Sequence, residues 1–196
     1  MPSPDDNPQG WLLAFVDVET TGVTPGYHEM IDIGVIIADL EGREIDRLFL
    51  RVMPTHPERT SKEAAAINGF SVERWRTLDA LSPEEAVAQL IAFHEAAAGD
   101  RRVLMVAHNA QFDAAFVEFL LRGAGHRRDE LYYYYVLDIP SMAWSLGLRL
   151  LHGQRLAEFF GIEDEPRTAL EHTGITGADL NLRMYREILT YRDGSS

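Results

Sequence analysis

No cysteine occurs among the 196 residues of the chain. That excludes disulfide bonds and thiolate zinc sites, and it makes the cytoplasm the default compartment. Positive charge is also scarce: 18 Lys and Arg face 31 Asp and Glu, a formal net charge of −13. A broad basic surface for polyanions is therefore not expected. Arg122, Arg127 and Arg128, with Arg149 and Arg155 further on, read as solvated surface rather than a binding track. No apolar stretch approaches the ~20 residues of a membrane span, so no membrane association is expected. The first ten residues lack the positive start and apolar run of a secretory signal. Neither an internal repeat nor a Ser/Gly linker divides the chain. What remains is one domain with a sizeable core: a flexible, proline-rich leader over 1–10, a single domain over 11–192 and a tail over 193–196.

What is there begins with apolar runs. Trp11–Val18 reads as a strand buried on both faces, Met30–Ala38 as a second strand and Glu44–Val52 as a third. Gly42 marks a tight hairpin turn between the last two, so the first three strands form an antiparallel meander. Thr60–Gly69 starts like a capped short helix and ends at Asn-Gly, and Pro83 opens a longer helix. A strand at 102–107 and a helix at 109–121 follow. Tyr132–Leu137, with four successive tyrosines, favours a strand by aromatic propensity. Alternation there would put Tyr132 and Tyr134 on one face and Tyr133 and Tyr135 on the other. Helices are expected at 139–147, 153–160 and 178–191. Hairpin strands followed by strands alternating with helices give an α/β fold: a mixed sheet, three antiparallel strands then parallel ones, with helices on both faces.

Asp17 and Glu19 end the first strand two residues apart, in Phe15-Val-Asp-Val-Glu-Thr-Thr-Gly22. Residues i and i+2 of a strand project from one face. Two buried carboxylates about 6–7 Å apart repel unless a cation lies between them. The segment has no Lys or Arg, so a divalent ion with oxygen ligands is one explanation. The other is that Asp17 ends the strand and Glu19 begins a solvated turn. A second segment, His108-Asn-Ala-Gln-Phe-Asp113, follows the strand at 102–107. Asn109 can cap the next helix, and Asp113, in its first turns, can deliver a third carboxylate. An acid near a helix N-terminus is also favourable for its own sake, by about 0.3–1 kcal/mol.

These two motifs, D-x-E-T-T-G and H-N-A-x-F-D in that order, resemble those of the DEDDh exonucleases, the superfamily of polymerase proofreading subunits and ribonuclease T. The resemblance spans roughly residues 10 to 192. It implies a ribonuclease-H-like fold, two Mg²⁺ or Mn²⁺ ions, and hydrolysis of nucleic acid, DNA or RNA, from the 3′ end. Asp17, Glu19 and Asp113 would hold the ions, and His172 would be the general base, since imidazole titrates near working pH. Two ions about 3.5–4 Å apart activate a water and stabilise the leaving oxygen. The resemblance also brings substrate contacts. Glu63, Asn68 and Phe70 match the segment lining the terminal-nucleotide pocket; Thr20 and Thr21 could donate to the 3′ end, and His108 and Asn109 fall in the second motif. A base stacked on Phe70 would be worth about 1–3 kcal/mol, although a buried aromatic after a turn is an equal reading. The acidity implies weak, salt-sensitive binding of a few terminal nucleotides and leaves room for a protein partner, and the resemblance to ribonuclease T implies that a homodimer is conceivable.

The last motif departs from the family. There a His is followed five residues later by a metal-binding Asp, and five residues after His172 stands Gly177. Asp179 comes two residues later, and two residues turn a helix by about 200°. Asp179 can replace the missing acid only if the final helix starts late. Gly174 and Gly177 disfavour helix and Thr176 could cap a delayed start. Otherwise the chain has lost a ligand, and the alternative is a degenerate member that binds 3′ ends or a partner without efficient cleavage.

Overall fold

The computed structural model describes residues 3–166, 168–169 and 171–194. The extreme ends of the expected leader and tail, 1–2 and 195–196, lie outside the described residues, as does 170 in the last motif. Strands β1 (Trp11–Thr20), β2 (Met30–Ala38), β3 (Glu44–Arg51), β4 (Arg102–Ala107) and β5 (Val136–Asp138) form one sheet in the order β3-β2-β1-β4-β5. The first three pair antiparallel, and β4 and β5 add in parallel. The β2–β3 turn closes with the Asp39 N–H donating to Arg43 O at 3.0 Å and Gly42 at φ +76°, a conformation only glycine adopts without strain.

The central strand sorts its side chains by parity. Leu12, Ala14, Val16 and Val18 pack under α3 (Pro83–Ala98) and α4 (Ala110–Gly123). Trp11, Leu13 and Phe15 pack under α5 (Ile139–Ser145), α6 (Gly153–Phe160) and α7 (Gly174–Gly194). Both faces are thus covered, which is why β1 is apolar throughout until its last turn of sequence. The short helices α1 (Lys62–Asn68) and α2 (Val72–Thr77) close one end, held by the Trp75 indole N–H donating to Ile31 O at 2.8 Å. Local chemistry sets the helix starts. Ser61 accepts from the Ala64 N–H, and Ser82 forms a reciprocal capping box with Glu85.

Two local expectations are corrected. The tyrosine run is not a strand: only Val136–Asp138 pairs with β4. Tyr132 is buried and its hydroxyl meets His94 Nε2 at 2.9 Å, while Tyr134 and Tyr135 are 57% and 60% exposed, with ring centroids 4.0 Å apart. Burial of one ring and mutual stacking of two others override the alternation. The final helix does not start late either. It begins at Gly174, whose N–H donates to the buried Asp32 Oδ1 at 2.8 Å, so Thr176 lies inside the helix rather than at its cap.

Candidate active site

Asp17 and Glu19 continue the odd-numbered face of β1, the face under α7. Asp113 comes from the opposite layer, in the first turn of α4. Its Oδ1 accepts the N–H of Val18, the residue between Asp17 and Glu19, at 3.1 Å. That bond fixes a third carboxylate at the end of the strand. His172 Nε2 lies 2.9 Å from Glu19 Oε1, and its Nδ1 lies 3.5 Å from Glu165 Oε2. Asn68 donates to Thr20 O at 3.0 Å and to Glu19 Oε2 at 3.4 Å. The structure therefore brings together Asp17, Glu19, Asp113, His172 and Asn68.

The electrostatics follow from crowding. Burial, and then repulsion from Asp113, Glu19, Glu165 and Asp32, holds the Asp17 carboxyl well above the usual range. Burial raises Asp113 to about 8; its backbone N–H bonds oppose the rise and Glu19 adds to it. Asp32, opposite Glu19 in the β1–β2 register, is pushed to about 7, again chiefly by burial. His172 moves up to about 9, first through its bond to Glu19. Among the described residues, His172 is the one basic side chain paired with Glu19, and no Lys or Arg pairs with Asp17, Glu19 or Asp113.

Gly177 faces this cluster and Asp179 does not. A Cβ on Gly177 would stand 3.0 Å from Asp17 Cβ and nearer still to its Cγ and Oδ2. Asp179, turned to the far side of α7, pairs with Arg183 at 2.8 Å and with Arg47 at 3.4 Å. With α7 continuous from Gly174, the two-residue offset cannot be absorbed, and Asp179 stays outside the cluster. Gly174 and Gly177 interrupt nothing here. A Cβ on Gly174 would lie 2.5 Å from Asp17 O and 2.6 Å from Gly34 N, and one on Gly34 would overlap the Gly174 carbonyl. Three glycines let the first turn of α7 lie directly on β1 and β2, and Asn181, one turn on, fastens it by donating to Val16 O at 3.1 Å.

The expected substrate contacts divide. Thr20 and Thr21 are buried; the Thr20 hydroxyl donates to Gly22 O at 2.8 Å, and Thr21 Oγ1 accepts from the Glu29 N–H at 2.9 Å, so both serve the turn after β1. Phe70 packs edge-on against Trp75 with ring centroids 5.0 Å apart, inside a small core cluster with Ile31. Glu63 is exposed in the first turn of α1. Asn109 is exposed at φ +65° and makes no side-chain cap; the Ala110 N–H goes instead to Asp138 Oδ2 at 3.2 Å. His108 bonds Leu151 O through Nε2 at 2.8 Å, and its ring turns towards the cavity beside Asp17.

Two site residues escaped sequence reasoning. Asp32 is the only charged position in the otherwise apolar Met30–Ala38, and a buried acid in such a run was the available signal. Glu165 sits in a polar stretch between α6 and α7, where nothing local distinguishes it from solvated loop.

Among the described residues, no three His, Cys, Asp or Glu side chains already form a closed metal cage. The donor chemistry nonetheless fits hard cations. Asp17, Glu19 and Asp113 are oxygen donors, they repel one another, and among the described residues no arginine or lysine pairs with them. A divalent ion held there would polarise a phosphoryl oxygen and lower the pKa of a bound water.

Comparison with solved structures places this architecture in the ribonuclease-H-like fold. Exonuclease I from E. coli, solved with a dT13 oligonucleotide, superposes over 94% of this chain with a TM-score of 0.74 at 14% identity. The chain spans 42% of that protein, and 40% of exonuclease I from Methylocaldum szegediense, which matches at TM-score 0.74 and 17% identity. Among sequence relatives, the 3′-5′ DNA exonuclease Cap18 of Escherichia coli is 27% identical over 90% of this chain and 91% of its own length. Ribonuclease T of Escherichia coli K12 is 26% identical over 70% of this chain and 67% of its own. Residues 14–128 match the RNase T family model, described as exonuclease. The chain belongs to that exonuclease family, within the DEDDh 3′-5′ exonuclease superfamily.

Proposed function

We propose that this protein is a divalent-metal-dependent 3′→5′ exonuclease acting on single-stranded or frayed nucleic acid. The observation that carries the reading is the Asp113 carboxylate bonded to the Val18 amide, between Asp17 and Glu19. Three acids from two layers of the fold meet where nothing but a cation would balance them. Asp17, Glu19 and Asp113 would hold Mg²⁺ or Mn²⁺, which supplies Lewis-acid polarisation of the scissile phosphate and an acidified water. To take the proton from the attacking water at Nε2, His172 must first give up both its bond to Glu19 and the proton held in that bond. Asn68 holds Glu19 in place from the other side. The named activities of the Cap18 and ribonuclease T relatives support the same reaction class. A net charge of −13 favours short contacts with a few terminal nucleotides over a long basic track.

End-labelled oligonucleotides incubated with the purified protein and Mg²⁺ or Mn²⁺ test this reading. Stepwise shortening from the 3′ end, abolished by EDTA, is expected; an unchanged ladder from folded protein under both metals overturns it. Gly177 favours one rival, a member that binds 3′ ends without cleaving them. That rival predicts retention of a labelled 3′ end with no product at any metal concentration.

A further inference from the structure

We infer that Glu165, from the segment between α6 and α7, supplies the fourth carboxylate of the metal site in place of the acid missing at Gly177. The inference rests on the metal-dependent reading above. Its first support is steric. At the helix position that would carry the acid, a Cβ would stand within 3.0 Å of the Asp17 side chain, so a residue larger than glycine there requires Asp17 to move, and Asp179 is turned away into pairs with Arg183 and Arg47. The first turn of α7 thus supplies no carboxylate beside Asp17.

The second support is where Glu165 lies. A cavity of about 200 Å³ opens beside the strand end, walled by Asp17, His108, Gly153, Gly177, Asn181 and Glu165 among others. Gly177 lines this cavity without contributing a side chain, and Glu165 lines it from the facing segment. Of the residues bordering the cavity, Asp17 and Glu165 are the two carboxylates. The third support is His172, whose Nε2 meets Glu19 at 2.9 Å and whose Nδ1, bonded to Pro166 O at 3.3 Å, lies 3.5 Å from Glu165 Oε2. One imidazole therefore stands between a carboxylate of the first motif and Glu165, which is also close enough to repel Asp17. The Glu165 side chain is only 13% exposed, as befits a group aimed inward and not a loop acid in solvent. Asn181, the remaining polar group of the α7 wall, is committed to Val16 O and carries no charge.

Isothermal titration of the metal-free, full-length protein with MnCl₂ tests this directly, alongside labelled-oligonucleotide turnover. Wild-type protein is expected to take up two ions per chain. In Glu165→Gln, which keeps the shape and loses the charge, one ion should remain with unchanged affinity. The other should weaken by at least about tenfold, with turnover falling in step. Asp179→Asn should bind and cleave like wild type. Glu165→Asp, which keeps the charge but shortens its reach, should also weaken one ion selectively, and it serves if the Gln variant does not fold. Two unaltered ions in Glu165→Gln, or loss of an ion in Asp179→Asn, overturn the inference and leave the exonuclease reading standing. Wild-type protein that neither binds Mn²⁺ nor cleaves overturns both.

Discussion

Gly177→Asp would, on sequence grounds alone, repair the family motif and raise activity. The structure predicts the opposite. The new Cβ would meet Asp17 Cβ at 3.0 Å, and Cγ and Oδ2 closer still, where ordinary carbon contacts are about 3.5–4.0 Å. Asp17 has little room to yield: it is on the central strand, opposite Gly34 in the β2 ladder, and its own carbonyl lies under Gly174. Overpacking of this kind costs about 1–3 kcal/mol, which the simpler Gly177→Ala isolates. For a protein of this size each kcal/mol lowers the melting temperature by about 2–4 °C. The Asp variant also adds a further acid beside Asp17, which burial and neighbouring carboxylates already hold above the usual range, so one more buried carboxyl must stay protonated or repel its neighbours before any ion binds. Differential scanning calorimetry of metal-free protein, with oligonucleotide turnover measured after Mn²⁺ is added to the same samples, reads both effects. Gly177→Ala should melt lower than wild type and lose turnover because Asp17 is displaced, and Gly177→Asp should do worse on both counts. A Gly177→Asp variant that melts like wild type and cleaves faster would refute the packing argument.

Other outcomes follow from the same geometry. Asp113→Asn keeps an oxygen for the Val18 N–H, so the fold should survive, while the rise in melting temperature on adding Mn²⁺ should vanish and turnover fall at least about 100-fold; retained metal stabilisation would count against Asp113 as a donor. Asp32 and Asp113 have folded values raised from 3.8 to about 7 and about 8, so their favourable share is complete below about pH 4 and is lost as pH climbs through 7 to 8. Metal-free protein should therefore melt progressively lower from pH 6 to 9, and a flat profile would contradict the crowding. His172→Gln should still bind Mn²⁺ but lose about 10²–10⁴-fold in turnover, the usual share of a general base; near-normal cleavage would remove His172 from that role. His94 works in the other direction: buried in the core, it is lowered from 6.5 to about 4 by desolvation. Its contribution is full above pH 6.5 and is lost as pH falls towards 4, about 3 kcal/mol in all. His94→Gln should blunt acid unfolding over that window in urea titrations, and an identical acid limb would show that His94 is not the group responsible.

Much of this architecture was legible in the residues because local and global demands agreed. The Trp11–Val18 run, apolar but for Asp17, reads as a strand covered on both faces, and Gly42, Ser61 and Ser82 stand where a turn and two caps need them. Asp17 and Glu19 share a face by strand geometry, whatever follows. The illegible parts depend on contacts far apart in sequence. Gly174 and Gly177 look like helix breakers, and only the presence of Gly34 across the interface shows that they permit close approach. Glu165 gains its place from the path of the segment before α7. The tyrosine run misled because propensity for strand yielded to burial of Tyr132 against His94.

Crystals grown with Mn²⁺ and measured at the manganese edge would test the central claim, that acids from β1 and α4 converge on shared ions. The account predicts anomalous density bounded by Asp17, Glu19 and Asp113, with Asp179 remote from it and still paired with Arg183. Crystals saturated with Mn²⁺ but without density at those three carboxylates would contradict it.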